Sequence, residues 1–186
     1  MRIISGKARG TKLYTLEGLN TRPTLDRVKE SIFNIIQNEI EGANVLDLFA
    51  GSGAIGLEFL SRGAGSVILC DKSKQAIEII KKNVQKTHME ENTQVFNIDF
   101  ETCLEKIKNQ KFDIIYLDPP YETDYISKSL KIIIELDIIK EKSLIIIETD
   151  DEKRVEKEIE NIKVKIVDKR KYGRATIIFL SLKKCA

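Results

Sequence analysis

The chain has one histidine, three cysteines and three prolines in 186 residues, and each scarcity removes a class of chemistry. His88, the only imidazole, sits beside Met89 and two glutamates at what reads as a helix end, so histidine-based catalysis is not expected. Cys70, Cys103 and Cys185 are odd in number, far apart and without metal-type spacing. Neither a disulfide framework nor a zinc site is therefore expected, and no metal is called for. Long apolar runs are missing too. The densest, around Ile132-Ile133-Ile134, are soon broken by charge, well short of the roughly 18 residues a membrane span needs. The start, Met1-Arg2-Ile3-Ile4-Ser5-Gly6, has no signal-like apolar region, so a cytoplasmic protein with no membrane partner is the expectation.

What is present suffices for one domain: 42% of the residues are hydrophobic, enough for a full core at this length. We read residues 1–186 as a single unit, with 1–23 as a basic hairpin arm and 24–186 as the body. The net charge of +2 hides a segregation: residues 1–31 carry seven Lys/Arg against three acids, and residues 163–186 carry eight against one. Basic ends around an acidic middle suggest a face that meets phosphates. Solubility alone would also account for such charge.

From residue 45 onward, short β-branched runs alternate with longer amphipathic stretches, the signature of βαβ units on a parallel sheet. Strands are predicted at Val45–Phe49, Val67–Asp71, Gln94–Ile98, Asp113–Leu117 and Ser143–Glu148. Helices are predicted at Ala54–Arg62, Ser73–Thr87, Glu101–Ile107, Tyr125–Leu136 and Asp151–Ile159. Two alternating strands, Lys163–Lys169 and Ala175–Leu182, are joined by Arg170-Lys171-Tyr172-Gly173-Arg174, too short for a crossover helix, so they should pair antiparallel. The fold class is therefore α/β: a seven-stranded, mostly parallel sheet with an antiparallel last strand and helices on both faces. A further helix is predicted over Thr24–Ile40, capped by Thr24 and burying Val28, Ile32, Phe33, Ile35 and Ile36. Ahead of it, Arg2-Ile3-Ile4 and Thr11-Lys12-Leu13 flank a turn to form the arm.

The run Val45-Leu46-Asp47-Leu48-Phe49-Ala50-Gly51-Ser52-Gly53-Ala54-Ile55-Gly56 is a strand that ends in a glycine-rich turn and opens a helix. Gly51 and Gly53 let the backbone turn tightly and approach a ligand. Gly51 to Gly56 satisfies the dinucleotide pattern G-x-G-x-x-G, with Asp71 at the end of the next strand where a ribose-binding acid belongs. Asp47, just ahead of the turn, is a poor neighbour for a pyrophosphate and a good one for an ammonium. Asp99 with Phe100 follows the third strand, placed to meet an adenine amine and its ring. Carboxylates at three successive strands suit S-adenosylmethionine, which offers an ammonium, a ribose diol and an adenine amine in a row. Two blander roles stay open: Gly56 as a packing residue, and Asp99 as a helix cap.

The fourth strand runs into Asp118-Pro119-Pro120-Tyr121. Two prolines fix φ and remove two backbone donors, leaving a stiff segment of acceptors. Asp118 and the Pro119 carbonyl can each accept from an exocyclic amine, orienting it for in-line attack on a methyl, and Tyr121 can stack on the base. The released proton could pass to Asp118 or to water. A turn without chemistry, an amino methyltransferase of DNA, a nicotinamide-dependent oxidoreductase and a cofactor-free RNA-binding protein are the competing readings.

The segments Arg2 to Leu13, Thr21-Arg22-Pro23-Thr24-Leu25-Asp26-Arg27-Val28-Lys29-Glu30-Ser31-Ile32-Phe33-Asn34 and Lys171-Tyr172-Gly173-Arg174-Ala175-Thr176 closely resemble the RsmD family of bacterial 16S rRNA (guanine 966 N2)-methyltransferases. Asp47 to Gly53 resembles the first motif of class I methyltransferases. The resemblance implies a Rossmann-like methyltransferase fold, S-adenosylmethionine as cofactor (S-adenosylhomocysteine as product), and a monomer acting on 16S rRNA in an assembling small subunit. It implies catalysis by Asp118, Pro119, Pro120 and Tyr121, and a cofactor pocket of Asp47, Phe49, Gly51, Gly53, Asp71, Asp99 and Phe100, with Arg22 and Thr24 closing over it. Arg2, Lys7, Arg9 and Lys12 on the arm, with Lys171 and Arg174 at the tail turn, are the expected RNA contacts.

Overall fold

A computed structural model describes residues 1–16, 23–120 and 123–183, residues 23–25 through their backbone alone. Its elements are α1 (Pro23–Ile35), β1 (Asn44–Asp47), α2 (Ala54–Ser61), β2 (Ser66–Cys70), α3 (Lys74–Thr87), β3 (Thr93–Phe96), α4 (Phe100–Lys106), β4 (Phe112–Leu117), α5 (Tyr125–Glu135), β5 (Ile139–Thr149), α6 (Glu152–Ile159), β6 (Val164–Tyr172) and β7 (Ala175–Leu182). The seven strands lie in the order β3-β2-β1-β4-β5-β7-β6. β1 to β5 are mutually parallel, and β7 runs antiparallel to both β5 and β6. The chain moves outward from β1 in one direction and then returns to place β4 on its other side. The carboxyl ends of β1 and β4 therefore flank a switch point, where such sheets open a crevice.

Side-chain alternation splits the core into two layers. Val45, Ile114, Tyr116, Ile146 and Phe179 face α1, α2, α3 and the N-terminal arm. Leu46, Ile115, Leu117, Ile147 and Leu180 face α4, α5 and α6. The registers Asp47↔Tyr116 and Tyr116↔Ile146 put Asp47 on the first of these faces. Near-continuous apolar strands are what a sheet covered on both sides requires.

Four expectations change. The first helix begins at Pro23 and ends at Ile35, followed by a short 3-10 turn at Gln37–Glu39. Thr24 is thus helical rather than a cap, and Pro23 takes the first position, where a missing N–H costs nothing. Ile35 is 39% exposed while Lys29 is 3% exposed: the buried stripe runs through 28, 29, 32, 33 and 36. Lys29 takes the inner place because Glu58 of α2, fully buried, meets its ammonium at 3.1 Å. The tail link is two residues, Gly173 and Arg174, since β6 continues to Tyr172 opposite Ala175; Gly173 supplies the positive φ such a hairpin turn needs (64°).

The arm, finally, is docked. Arg2 and Lys12 bridge antiparallel, and Ile3 and Leu13 are buried. Glu58 accepts from the Ile4 and Ser5 amides at 2.8 and 3.0 Å, and the Ser61 carbonyl from that of Lys7 at 2.8 Å. Gly6 lies so close to Ser61 that any Cβ would fall 1.7 Å from its carbonyl oxygen. Cys70 and Cys103 are free and buried side by side in the core; Cys185 lies outside the described residues.

Candidate active site

The glycine turn closes on itself by chain geometry. Gly51 and Gly53 have φ of 55° and 76°, a region side chains other than glycine rarely enter. A Cβ on Gly53 would also crowd Leu69 and Ile80 at 3.2 and 3.3 Å. Gly56 serves packing: its Cβ would fall 2.3 Å from Leu69 on β2, so α2 lies directly on the sheet.

Asp71, just past β2, ties the turn down. One carboxylate oxygen accepts from the Gly51 amide at 2.9 Å and the other from the Ser73 amide at 2.8 Å. Across the crevice Asp99 caps α4, accepting from the Thr102 amide (2.9 Å) and hydroxyl (2.7 Å). These bonds favour its charged form and hold its carboxyl below the usual range. The cap reading of Asp99 is correct, and the residue stands at the cavity rim as well.

Asp71, Asp99 and Glu101 share a cavity of 650 Å³ with Asp118, Pro119 and Pro120. Its apolar wall is an aromatic cluster: Phe49 and Tyr125 are stacked at 6.2 Å and 8°, and Phe100 is 4.9 Å from Tyr125 and 5.5 Å from Phe49. Such a wall suits a flat heterocycle. Two lysines, Lys72 and Lys128, are at the rim against four acids, with Lys128 held by Asp124 at 3.1 Å. The balance favours a cationic ligand over a pyrophosphate.

Asp47 lies behind this wall. Only 2% exposed, it accepts from the Gly56 amide at 3.2 Å beneath the turn. Burial pushes its carboxyl up to about 7, against the Gly56 hydrogen bond, with the Asp71 charge adding to the rise. Asp118 opens onto the cavity, and its carboxyl is pushed well above the ordinary range by burial first, then by the charges of Glu148 and Asp47. The Pro120 carbonyl accepts from the Thr123 hydroxyl at 2.8 Å. Tyr121 and Arg22 lie outside the described residues, as does the Thr24 side chain.

Comparison with known proteins places this geometry. Residues 1–181 match the family described as conserved hypothetical protein 95. The Bacillus subtilis protein YlbH is 40% identical over 154 residues, 82% of this chain and 84% of that protein. Ribosomal RNA small subunit methyltransferase D of Haemophilus influenzae is 37% identical over 155 residues, 82% of this chain and 80% of that protein. The chain belongs to the RsmD family. The solved structure of Escherichia coli yhhF, at 26% identity, superposes with a TM-score of 0.84 over 100% of this chain and 99% of that one. The fold is thus the Rossmann-like methyltransferase fold.

Several residues of this RsmD site escaped sequence reasoning, Tyr125 and Glu148 among them. Tyr125 was legible only as the first residue of a helix. Glu148 ends a predicted strand, but its place beside Asp118 depends on β4 and β5 pairing, with Leu117 opposite Ile147. The Tyr116 hydroxyl donates to Glu148 Oε2 at 2.6 Å. Burial raises the Glu148 carboxyl, and this bond partly opposes the rise.

Of the basic residues, Lys7, Arg9, Lys12, Lys171 and Arg174 are exposed, and among the described residues none has an acid within ion-pair distance. Arg2 meets Asp26 of α1 at 3.4 Å. The neighbouring tail cations are spoken for: Lys169 by Glu156 at 2.7 Å, Arg170 by Asp168 at 3.0 Å. Arm and tail hairpin both contact α1, through Arg2 and through a Tyr172–Ser31 hydroxyl pair.

Proposed function

We propose that this chain transfers a methyl group from S-adenosylmethionine to the exocyclic N2 amine of guanine 966 in 16S rRNA, within an assembling small ribosomal subunit. The observation that carries the reading is the single cavity that joins the Asp71–Asp99–aromatic region to the Asp118-Pro119-Pro120 loop. The relatives' names, small subunit methyltransferase D among them, support the RNA and the subunit.

The cavity's residues fit the cofactor. Asp71 retains lone pairs toward a ribose diol, Asp99 stands where an adenine amine can donate, and Phe49 and Phe100 offer faces to its ring. When bound, the cofactor supplies an electrophilic methyl that needs no acid to activate it. The chain's remaining task is alignment. Asp118 and the Pro119 carbonyl accept from the amine and hold its lone pair toward the methyl, while the prolines keep these acceptors rigid. Lys7, Arg9, Lys12, Lys171 and Arg174, with Arg2, supply phosphate contacts that position RNA without reading its sequence. A guanine amine must leave its stack to reach this depth, so a looped-out or flipped base is expected.

Mass spectrometry of 16S rRNA from cells lacking the gene should show one missing methylguanine, restored on purified small subunits by the protein with S-adenosylmethionine. A fully methylated guanine in such cells, with no second copy of the gene, overturns the substrate assignment.

A further inference from the structure

We propose that Glu148 is a positioning residue for the transfer: fixed by the Tyr116 hydroxyl next to Asp118 on the adjacent strand, it makes Asp118 the group that takes the proton leaving the methylated amine. This inference rests on the amine-methylation reading above.

The geometry begins with the sheet. Leu117 of β4 pairs with Ile147 of β5, so the next residues, Asp118 and Glu148, emerge beside one another on the face that also carries Tyr116 and Asp47. The Tyr116 ring is 1% exposed and its hydroxyl reaches Glu148 Oε2 at 2.6 Å. A buried tyrosine donating to a carboxylate favours that carboxylate's charged form. Of two adjacent acids that cannot both ionise freely, Glu148 is therefore the one held charged, and Asp118 the one that tends to hold a proton. Burial and the Glu148 charge both raise Asp118.

The surroundings offer little to cancel this. On β1 the near group is Asp47, another acid. On β7, Thr176 and Ile177 face β5 and do not titrate. On α1, Lys29 is taken by Glu58, and Tyr172 of β6 pairs with Ser31. At the cavity rim, α5 contributes Tyr125 and Lys128, the latter paired with Asp124, and Lys72 lies over the Tyr125 ring at 5.8 Å. Asp71, Asp99 and Glu101 are the other ionisable groups of the lining among the described residues.

The charge balance of the reaction gives this pair its use. The amine nitrogen forms a bond to the methyl carbon as the carbon–sulfur bond breaks, and that bond's electron pair stays on sulfur. Positive charge passes from sulfur to the nitrogen, which then gives a proton to the Asp118 carboxylate. Before transfer, a cationic cofactor bound in this cavity would favour ionised Asp118, ready to accept the amine's hydrogen bond. Afterwards that charge is gone, Glu148 remains, and Asp118 binds the proton before passing it to solvent.

Carboxyl-carbon NMR titration of the cofactor-free protein tests the electrostatics without substrate. In Glu148→Gln the Asp118 midpoint should fall by about one pH unit or more. Tyr116→Phe should move the upper titration of the pair the other way and keeps the proposal testable if the first variant folds poorly. With S-adenosylmethionine and small subunits, Glu148→Gln should move the acidic limb of kcat to lower pH and reduce kcat about tenfold at neutral pH, leaving both KM values in place. An unmoved Asp118 midpoint, or an activity loss uniform across pH, overturns the role of Glu148. A shifted midpoint in a protein whose wild type methylates no guanine amine instead overturns the reading of function, and the proton role with it.

Discussion

Two sets of carboxylates, one lining the crevice and one largely behind it, differ in their surroundings. Asp71 and Asp99, on the side of β2 and β3, each have both oxygens engaged by short-range donors: the Gly51 and Ser73 amides for one, the Thr102 amide and hydroxyl for the other. Asp47 of β1, Asp118 just past β4 and Glu148 of β5 lie close together on one sheet face, are largely buried, and all have raised carboxyls. In the proposed function the first set accepts hydrogen bonds from the cofactor. Within the second, we propose that Asp118 exchanges a proton while Glu148 stays charged beside it. In that proposal the two jobs of a methyl transfer to an amine, holding the donor molecule and managing a proton, fall to carboxylates in different environments.

The strongest test of that division is Asp118→Asn, which keeps shape and one acceptor but cannot take a proton. Methyl transfer should fall on the order of a thousandfold, with affinity for S-adenosylhomocysteine by isothermal titration unchanged; equal loss of both would merge the two sets.

A smaller effect is expected in stability. Because the Asp47 carboxyl is raised to about 7 in the folded protein from an unfolded value near 4, the native state holds more protons than the unfolded one between these limits. Stability should therefore fall by a few kcal/mol as pH rises from about 4 to about 7. Asp47→Asn should flatten that decline in urea unfolding at pH 4.5 and 7.5, and an unchanged slope would remove Asp47 from the proton-holding set.

Smallest is Asp71→Ala, which strips the acceptor from the Gly51 and Ser73 amides. Cofactor affinity should drop about tenfold to a hundredfold, from the roughly 1–3 kcal/mol such a loss carries. The rate at saturating cofactor should change little; a collapse of that rate would give Asp71 a part in the chemistry.

The local backbone of the site was legible from residues. A strand, a glycine turn and a helix in immediate succession place Asp47, Gly51 and Gly53, and Asp-Pro-Pro after a strand makes a rigid set of acceptors, because φ restrictions act within a few residues. Periodicity likewise located each strand and helix of the body to within a few residues. Residues whose roles come from partners distant in sequence were not legible. Lys29 is inside and Ile35 outside because Glu58 waits on α2. The arm is docked because Glu58 and Ser61 accept its amides. Glu148 is an Asp118 neighbour only through the pairing of β4 with β5.

By itself, then, the sequence determined the alternation of elements, the turn and the stiff Asp-Pro-Pro loop, each set by short-range sterics and hydrophobic period. Only the tertiary structure decided which carboxylates stand alone among backbone donors and which crowd together, since burial and charge coupling depend on strand order and on what lies across the sheet.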